Sequence, residues 1–395
     1  MKRKVVVFTG NRAEYGLQLP IIRELKKNKK IICYVLVSGA HTQKKYGMFL
    51  NQIKKDKIKI NKVINLKKVT NTSRDYTPKL IGDATIKISS YFKKIKPDIV
   101  LINADRHETF AACIASSQMN IPTFHIEGGD VTNGGVFDDS VRHAISKLSH
   151  IHFTTNKKSF NNLIKLGEEK WRIFNYGLSI NDIIYNSKKL SLDKIKKIIP
   201  ISFNKPIIIF TLHPVTSDKK KILHSLKESL KAINFISKKY NCTIIGTYPN
   251  NDYGSDLIIK ALKDNKNPNF RLIKNLSIDI LHSLFAHSKK KKIIVVGNSS
   301  MGIKEAVAFK TPVVNIGERQ EGRLKPNNVL DTDVKFENIK KNIYKALFNK
   351  KFRLECDRSK NPYFKKNTSQ KIVKIISEIK LNNKIINKKF VSEKK

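Results

Sequence analysis

Acidic side chains are scarce in this chain: it carries 32 Asp and Glu against 78 Lys and Arg over 395 residues, a formal net charge of +46. Such a balance is also the electrostatic footprint of nucleic-acid binders. A second scarcity weakens that reading, because aromatic residues do not interleave the basic runs and base-stacking platforms are lacking. The lysines are spread through every segment beside Ile and Asn, as in "KKNKKIICYV" and "NQIKKDKIKINKVINLKK". That is the pattern of solvated faces with weak, non-specific attraction to polyanions. Cysteine is equally sparse. Cys33, Cys113, Cys242 and Cys356 are far apart and form no CxxC pair and no Cys/His cluster at ligand spacing, so neither a disulfide framework nor a zinc module is indicated. The thiols read as reduced and mostly buried. A run of about 18 apolar residues, as a membrane span requires, is absent. The basic N-terminus leads into a short apolar stretch stopped by Gly10-Asn11-Arg12, which reads as a first strand and not as a signal peptide. A cytoplasmic protein of two globular domains is the expectation for this length and 40% hydrophobic content.

Neither internal repeats at a fixed period nor a Gly/Ser- or Pro-rich linker interrupts the chain. What it has instead is short apolar runs rich in Val and Ile: "KVVVFTG" 4–10, "IICYVLVSG" 31–39, "DIVLINAD" 98–105, "PTFHIEGG" 122–129 and "IHFTTN" 151–156. Each gap leaves room for a helix, and continuous apolar character suits parallel strands covered on both faces. After a less regular stretch around 178–205 the rhythm restarts with "PIIIFTLHP" 206–214, "CTIIGTYPN" 242–250, "FRLIKN" 270–275, "KKIIVVGNSS" 291–300 and "TPVVNIGER" 311–319. The pattern predicts an α/β protein of two doubly wound, Rossmann-like domains, 1–185 and 186–366. A helix near 367–379, capped at Thr368 or Ser369, then packs back across the junction. Residues 338–395 carry 18 Lys/Arg against 4 Asp/Glu, and the final dozen are expected to fray as a basic tail.

In an open parallel sheet the ligand sits beyond the carboxyl ends of the strands, and the polar clusters fall there. "TGNRAEYG", "SGAH", "NADRHE" and "EGGD" follow strands of the first half; "TLHPVTSD", "YPNNDYG", "GNSSMG" and "GERQEGR" follow strands of the second. Two such rims facing each other make a deep central cleft. In "VVGNSSMGIKEAVAF", Gly297 and Gly302 let backbone approach an anion, while Ser299 and Ser300 offer hydroxyls at a helix N-terminus. A diphosphate fits there, and so does an ordinary N-cap. Glu305, about one turn on, favours the first, since a carboxylate there can take a ribose diol. The motif is neither a P-loop nor GxGxxG, so neither ATP nor NAD is indicated. Arg319 and Arg323 of "GERQEGR" and Arg12 on the other rim have forks suited to phosphate oxygens, against the plainer readings of surface arginines and a helix-start residue. His213, kept out of a helix by Pro214, is either structural or a donor to a departing phosphate.

The few acids concentrate in one place. Asp105 ends "DIVLINAD", Glu127 ends "PTFHIEG", and Asp138 opens "DDSVRHAISKLSHI". Asp105, Asp138 and Asp139 each have a plain alternative as helix-capping acids. Three carboxylates at adjoining strand ends of so basic a protein point further, to an acid/base pair with at least one raised pKa. Arg142 and His143, one turn along the helix, are placed to pair with them. His150 and His152 read as packing residues, and the four histidines of 124–153 lack zinc spacing.

Taken in order, "TGNRAEYG", "SGAH…YG", "DRHE", "HIEGGDVT…FDDSVRHAISKLSHIHF", "TLHPVT", "YPNND" and "GNSSMGIKEA…GERQEGR" resemble the hydrolysing UDP-N-acetylglucosamine 2-epimerases of sialic- and legionaminic-acid synthesis, from about residue 4 to about 330. The resemblance implies a GT-B architecture, a nucleotide-sugar substrate held mainly by the C-terminal domain, no cofactor and no metal. It also implies a homodimer or homotetramer, with no membrane or specific nucleic-acid partner. By position, Asp105, Glu127 and Asp138 look like the family's acid/base carboxylates and His213 like its leaving-group histidine. Ser299, Ser300 and Glu305 look like its diphosphate and ribose contacts. The implied reaction is anti elimination of the nucleoside diphosphate to a 2-acetamidoglycal, then addition of water with inversion at C2. His107 stands where an aromatic or apolar residue usually follows the Arg, and "YGLSIND" lacks a usual Pro. Both bear on which sugar is taken: UDP-GlcNAc, a UDP-diacetamido-trideoxy sugar and a GDP-linked analogue all stay open. A non-hydrolysing 2-epimerase and a GT-B glycosyltransferase are the competing readings, with a nucleic-acid-binding protein last.

Overall fold

Thirteen strands form two separate sheets in a computed structural model that describes residues 2–43, 49–66, 75–132, 136–215 and 218–392. Tyr46-Gly47 of the second motif and the Gly134-Gly135 pair lie outside the described residues. The first sheet holds β1 Arg3–Thr9, β2 Ile31–Val37, β3 Lys62–Val63, β4 Ile99–Asn103, β5 Thr123–Ile126, β6 Ile151–Thr154 and β7 Ile173–Asn175, in the order β3-β2-β1-β4-β5-β6-β7. The second holds β8 Ile207–Thr211, β9 Thr243–Thr247, β10 Phe270–Ile273, β11 Ile293–Gly297, β12 Val313–Ile316 and β13 Val329–Thr332, in the order β10-β9-β8-β11-β12-β13. Every described pairing is parallel, with Val5 opposite Cys33 and Ile99, and Ile207 opposite Thr243 and Ile293. Both sheets have the doubly wound order that reverses beside the first strand of each unit, at β1/β4 and β8/β11.

The runs of Val and Ile are continuous because each sheet is covered on both faces. In the second sheet alternate residues separate into two cores: Ile208, Phe210, Ile244, Ile294 and Val296 join one, and Ile207, Ile209, Ile245, Ile293 and Val295 the other. In the first, Val6, Phe8, Val100 and Ile102 pack with Ala84, Ile88 and Phe92 of the helix Tyr76–Ile95 and with Ala111 and Ala112 of the helix His107–Gln118. Each fully buried Val or Ile contributes about 1.5–3 kcal/mol, so both units bury ample cores. The chain divides into two compact units: Met1–Val131, Phe137–Tyr185 and Tyr363–Lys395 make up the first, and Thr132–Val136 with Asn186–Pro362 the second. The four cysteines are free thiols, and three of them are buried. No helix among the described residues is long and apolar enough to cross a membrane.

The C-terminal segment departs from expectation twice. The helix Thr368–Glu378 packs on the helix Arg12–Lys27, but its N-cap position is Asn367, in a left-handed conformation and without a side-chain cap. The first-turn N–H groups of Thr368 and Ser369 donate instead to the carboxylate of Asp182, at 3.3 and 2.7 Å. Of the tail expected to fray, residues 384–391 are held, and 393–395 lie outside the described residues. Fully buried Arg172 donates to the carbonyls of Lys384, Ile385 and Asn387 at 2.8, 2.8 and 3.1 Å, and to Glu169 at 2.6 Å. Lys388 Nζ reaches the carbonyls of Lys147 and Ser149 at 2.8 and 2.6 Å, and Glu168 at 2.7 Å. It thereby caps the C-terminus of the helix Val136–Leu148, where a cation is favourable. Lysine richness alone suggested disorder; the buried partners were far away in sequence. Arg172→Met is expected to cost about 3 kcal/mol by orphaning these carbonyls and to deprotect the amides of 385–391 in hydrogen exchange.

Candidate active site

At the reversal point of the first sheet, β1 runs into Gly10-Asn11 and the helix Arg12–Lys27, which Arg12 opens half-buried. A capping box fixes this turn: Asn11 Oδ1 accepts from Glu14 N–H at 3.0 Å, and Glu14 Oε2 accepts from the N–H groups of Gly10 and Asn11 at 2.6 and 3.2 Å. Burial pushes the Glu14 carboxyl up to about 8, against the hydrogen bond from Thr109 and with the help of nearby Glu108.

The acids follow at the next strand ends. After β4 comes Ala104, at φ 59°, and then Asp105; β5 ends at Ile126 and is followed by Glu127, at φ 66°. Positive φ at a residue other than Gly costs of order 1 kcal/mol and clusters at functional sites. Here the ladder enforces it, because Ala104 N–H donates to Ile126 O and Glu127 N–H to Phe153 O, both at 3.0 Å. Asp105 and Glu127 thus leave neighbouring strand ends, Glu127 buried and Asp105 half-buried.

The third acid-bearing element is the helix Val136–Leu148, which begins two residues before Asp138. Buried Arg142 forms a close ion pair with Asp105, reaches Asp139 Oδ1 at 3.1 Å and donates to the Asp130 carbonyl at 2.9 Å. Burial pulls the Arg142 pKa down, but Asp105, Asp130 and Asp139 more than offset it and hold the guanidinium charged. His143 reaches Asp139 at 3.4 Å. Asp139, expected only to cap the helix, is therefore the second carboxylate on Arg142, while Asp138 sits half-buried one residue before it. Asp130 is tied to Ser159 at 2.5 Å and Thr155 at 3.3 Å. His107 is buried against Tyr76, ring centroids 6.3 Å apart, and 3.1 Å from Glu108.

At the reversal point of the second sheet, Gly297 pairs with Thr211. Its φ is +135°, and a Cβ there would lie 1.9 Å from the Thr211 carbonyl oxygen, so only glycine fits. Gly297→Ala is expected to destabilise the second unit by more than about 2 kcal/mol, read as a lowered urea midpoint.

The next residue, Asn298, organises the rim. Its Oδ1 accepts from His213 N–H at 2.7 Å and its Nδ2 donates to His213 O at 2.9 Å. Asn250 N–H donates to His213 Nδ1 at 3.2 Å, which leaves the ring proton on Nε2. Arg319 and Gln320 donate to the Asn298 carbonyl at 3.1 and 2.8 Å, and Arg323 donates to Gln320 Oε1. Ser299 takes the N-cap position of the helix Ser300–Lys304 without a side-chain capping bond, and Gly302 lies within that turn. Glu305 Oε2 is 2.7 Å from His282 Nε2. His213, Gly297, Arg319 and Arg323 are thus gathered round Asn298, with Ser299 and Ser300 following it and Glu305 held by His282.

Asn298, Gln320 and His282 carried no signal of their own. An amide that ties strand ends together looks like any loop amide until its partners, more than 20 residues away, are in place.

The family profile described as UDP-N-acetylglucosamine 2-epimerase matches residues 23–377. A Legionella pneumophila protein named UDP-N,N'-diacetylbacillosamine 2-epimerase (hydrolyzing) is 33% identical over 98% of this chain and 99% of its own. A Campylobacter jejuni protein named GDP/UDP-N,N'-diacetylbacillosamine 2-epimerase (hydrolyzing) is 33% identical over 84% of this chain and 85% of its own. In fold, the crystal structure of UDP-GlcNAc 2-epimerase from Neisseria meningitidis bound to UDP-GlcNAc matches with a TM-score of 0.79 at 23% identity, over 94% of this chain and 99% of that one. With two Rossmann-like units of a GT-B-like fold and a match along nearly its whole length, the chain belongs to the UDP-N-acetylglucosamine 2-epimerase family.

Proposed function

We propose that the protein is a hydrolysing 2-epimerase, which converts a nucleotide-linked 2-acetamido sugar to the free 2-epimer and a nucleoside diphosphate. The observation that carries the reading is Asp105, held by buried Arg142 at the strand end where the first sheet reverses, beside Glu127 on the neighbouring strand end. Two relatives at 33% identity carry "hydrolyzing" in their names, which favours release of the free sugar over return of a nucleotide-linked epimer.

In this reading a carboxylate among Asp105, Glu127 and Asp138 takes the proton from C2 while the C1–O bond to the diphosphate breaks, giving a 2-acetamidoglycal. Water then adds across the double bond: its oxygen goes to C1, and a proton goes to C2 on the opposite face. The C2 proton is weakly acidic, so leaving-group departure must be far advanced as it moves. Charge on the departing diphosphate is met by the Nε2–H of His213, by Arg12 and by the Ser299-Ser300 turn, with Arg319 and Arg323 beside it. Glu305, oriented by His282, takes the ribose diol.

The sugar is best sought among UDP- and GDP-linked N,N'-diacetylbacillosamine, which the relatives' names cite, with UDP-GlcNAc beside them. The reading extends to a cytoplasmic homodimer or homotetramer serving sialic- or legionaminic-acid synthesis. Incubation with that panel and no acceptor decides the chemistry. Free nucleoside diphosphate with an equal amount of reducing 2-epimer is expected. A nucleotide-linked epimer would make it non-hydrolysing, and no turnover without an acceptor would point to a transferase.

A further inference from the structure

His125 lies two residues before Glu127 on β5 and is fully buried. Its ring touches two other elements. Nε2 is 2.8 Å from the carbonyl oxygen of Ala104, the residue before Asp105. Nδ1 is 3.2 Å from Ser146 Oγ, on the helix that carries Asp138, Asp139 and Arg142. One side chain therefore joins the three elements that bear the acids. We propose that His125 is a positioning residue: as a neutral imidazole bridging Ala104 and Ser146, it fixes the spacing of Asp105, Glu127 and the Arg142 helix for proton transfer. This rests on the reading of those acids as the reacting groups.

Geometry dictates the tautomer. A carbonyl oxygen can only accept, so Nε2 must carry the proton towards Ala104. Nδ1 is then bare and can accept from the Ser146 hydroxyl at 3.2 Å, whose one hydrogen has the Arg142 carbonyl, 3.0 Å from Oγ and one turn back, as its alternative acceptor. The imidazolium form would have to donate from Nδ1 to Ser146 Oγ with that hydroxyl turned to the Arg142 carbonyl, and burial, aided by the His152 ring, works against it by pushing the His125 pKa down to about 3. The ring packs edge to face on His152, centroids 6.4 Å apart, and His152 is itself fixed 3.0 Å from Glu168.

Two features of the backbone are explained by this bridge. Ala104 holds φ 59°, a conformation that an alanine adopts only when something over-determines it. The bond from Nε2 to the Ala104 carbonyl adds a second constraint to the ladder bond from the Ala104 N–H, and together they set where the chain delivers Asp105. Gly128 presses on the same ring: a Cβ there would stand 2.9 Å from Nδ1 and 3.2 Å from Ser146 Oγ. The "HIEGG" run thus places the imidazole, the acid and the glycine that makes room for the imidazole within four residues. Positioning of this kind matters because about 1 Å of misplacement can cost 10²-fold in rate, whereas substrate affinity rests on groups this ring does not touch.

The test uses His125→Phe, His125→Gln and Ser146→Ala in the full chain, each checked for folding by circular dichroism and assayed on the best sugar of the panel. His125→Phe should lower kcat about 100-fold with KM within about threefold. His125→Gln, whose amide can still donate to Ala104, should recover about tenfold of that, and Ser146→Ala should lose about five- to tenfold. A folded His125→Phe with kcat within threefold of the parent would overturn the proposal, as would a loss confined to KM or a glutamine no better than phenylalanine. If the phenylalanine variant does not fold, Ser146→Ala decides by the same criteria.

A second readout needs no turnover: 15N spectra of histidine-labelled protein at neutral pH should show His125 neutral, with Nε2 protonated and Nδ1 bare. The Nδ1–H tautomer or an imidazolium would sink the bridge. A parent chain that releases no nucleoside diphosphate from any panel sugar would defeat the proposed function instead, while the spectrum would still decide the bridge.

Discussion

Asp105→Asn is expected to lower kcat by about 10³-fold, within the 10²–10⁴ range for loss of a general acid or base, with KM changed no more than a few-fold. The substitution is nearly isosteric, and an amide oxygen can still accept from Arg142, so the strand end should keep its course. The charge and the proton-accepting capacity are what go. In deuterated water the parent should place deuterium at C2 of the product, and the variant should do so about 10³-fold more slowly. Arg142 would lose its closest counter-ion while buried and keep Asp139 at 3.1 Å and the Asp130 carbonyl at 2.9 Å, so a stability loss of about 1–2 kcal/mol should accompany the change. An Asp105→Asn variant that turns over at the parent rate would remove the base assignment and move attention to Glu127.

The strands were legible because burial on both faces writes a signal that needs no partner to read: all ten apolar runs coincide with β1, β2, β4, β5, β6 and β8 to β12. The strands that escaped, β3, β7 and β13, are edge strands of their sheets. They are short and carry Lys62, Asn175 and Asp331, so no apolar run marks them. The termination of the fold was hidden for a different reason. Lys384 to Val391 look like solvated tail until Arg172 and Glu168, more than 200 residues earlier, are seen to bind them. Long-range ion pairs have no periodicity, and composition points the wrong way.

The candidate site divides similarly. Strand ends locate rims, so Asp105, Glu127, His213 and Gly297 could be picked out from where the apolar runs stop. Which acid Arg142 would hold could not. Helical spacing puts Asp138 at i−4 and Asp139 at i−3 from Arg142, and both positions share its face. In the structure Asp139 Oδ1 stands 3.1 Å from the Arg142 guanidinium. His125 sat inside a predicted strand, where an inward imidazole reads as filler, and its meaning came from Ala104 and Ser146, each 21 residues away along the chain.

The first unit should also be acid-labile well above the carboxylate range. His41 and His125 are each pushed down to about 3, and His150 to about 4, chiefly by burial. Unfolded, these imidazoles titrate near 6.5. Below that value the unfolded chain binds protons that the folded unit refuses. Their stabilisation is complete above pH 6.5 and drains as pH falls towards their folded values, at about 1.4 kcal/mol per pH unit for each. Glu14 works in the opposite sense. Its folded pKa is raised from 4.5 to about 8, so keeping it protonated costs stability above 4.5, and that cost shrinks on acidification. Between about pH 7 and pH 5.5 three histidines lose about 4 kcal/mol and Glu14 returns about 2, a net loss of about 2 kcal/mol from these four groups, to which His152, also held below its usual value by burial, adds in the same direction. Glu168, held down to about 2 against burial by His152 and Lys388, adds its own loss below 4.5. Urea unfolding at the two pH values, followed through amides of the first sheet, measures the net effect. Glu14→Gln, which keeps an acceptor for Gly10 and Asn11 but cannot titrate, should roughly double the loss. Equal midpoints at both pH values in the parent and the variant would mean that the three rings are not held neutral.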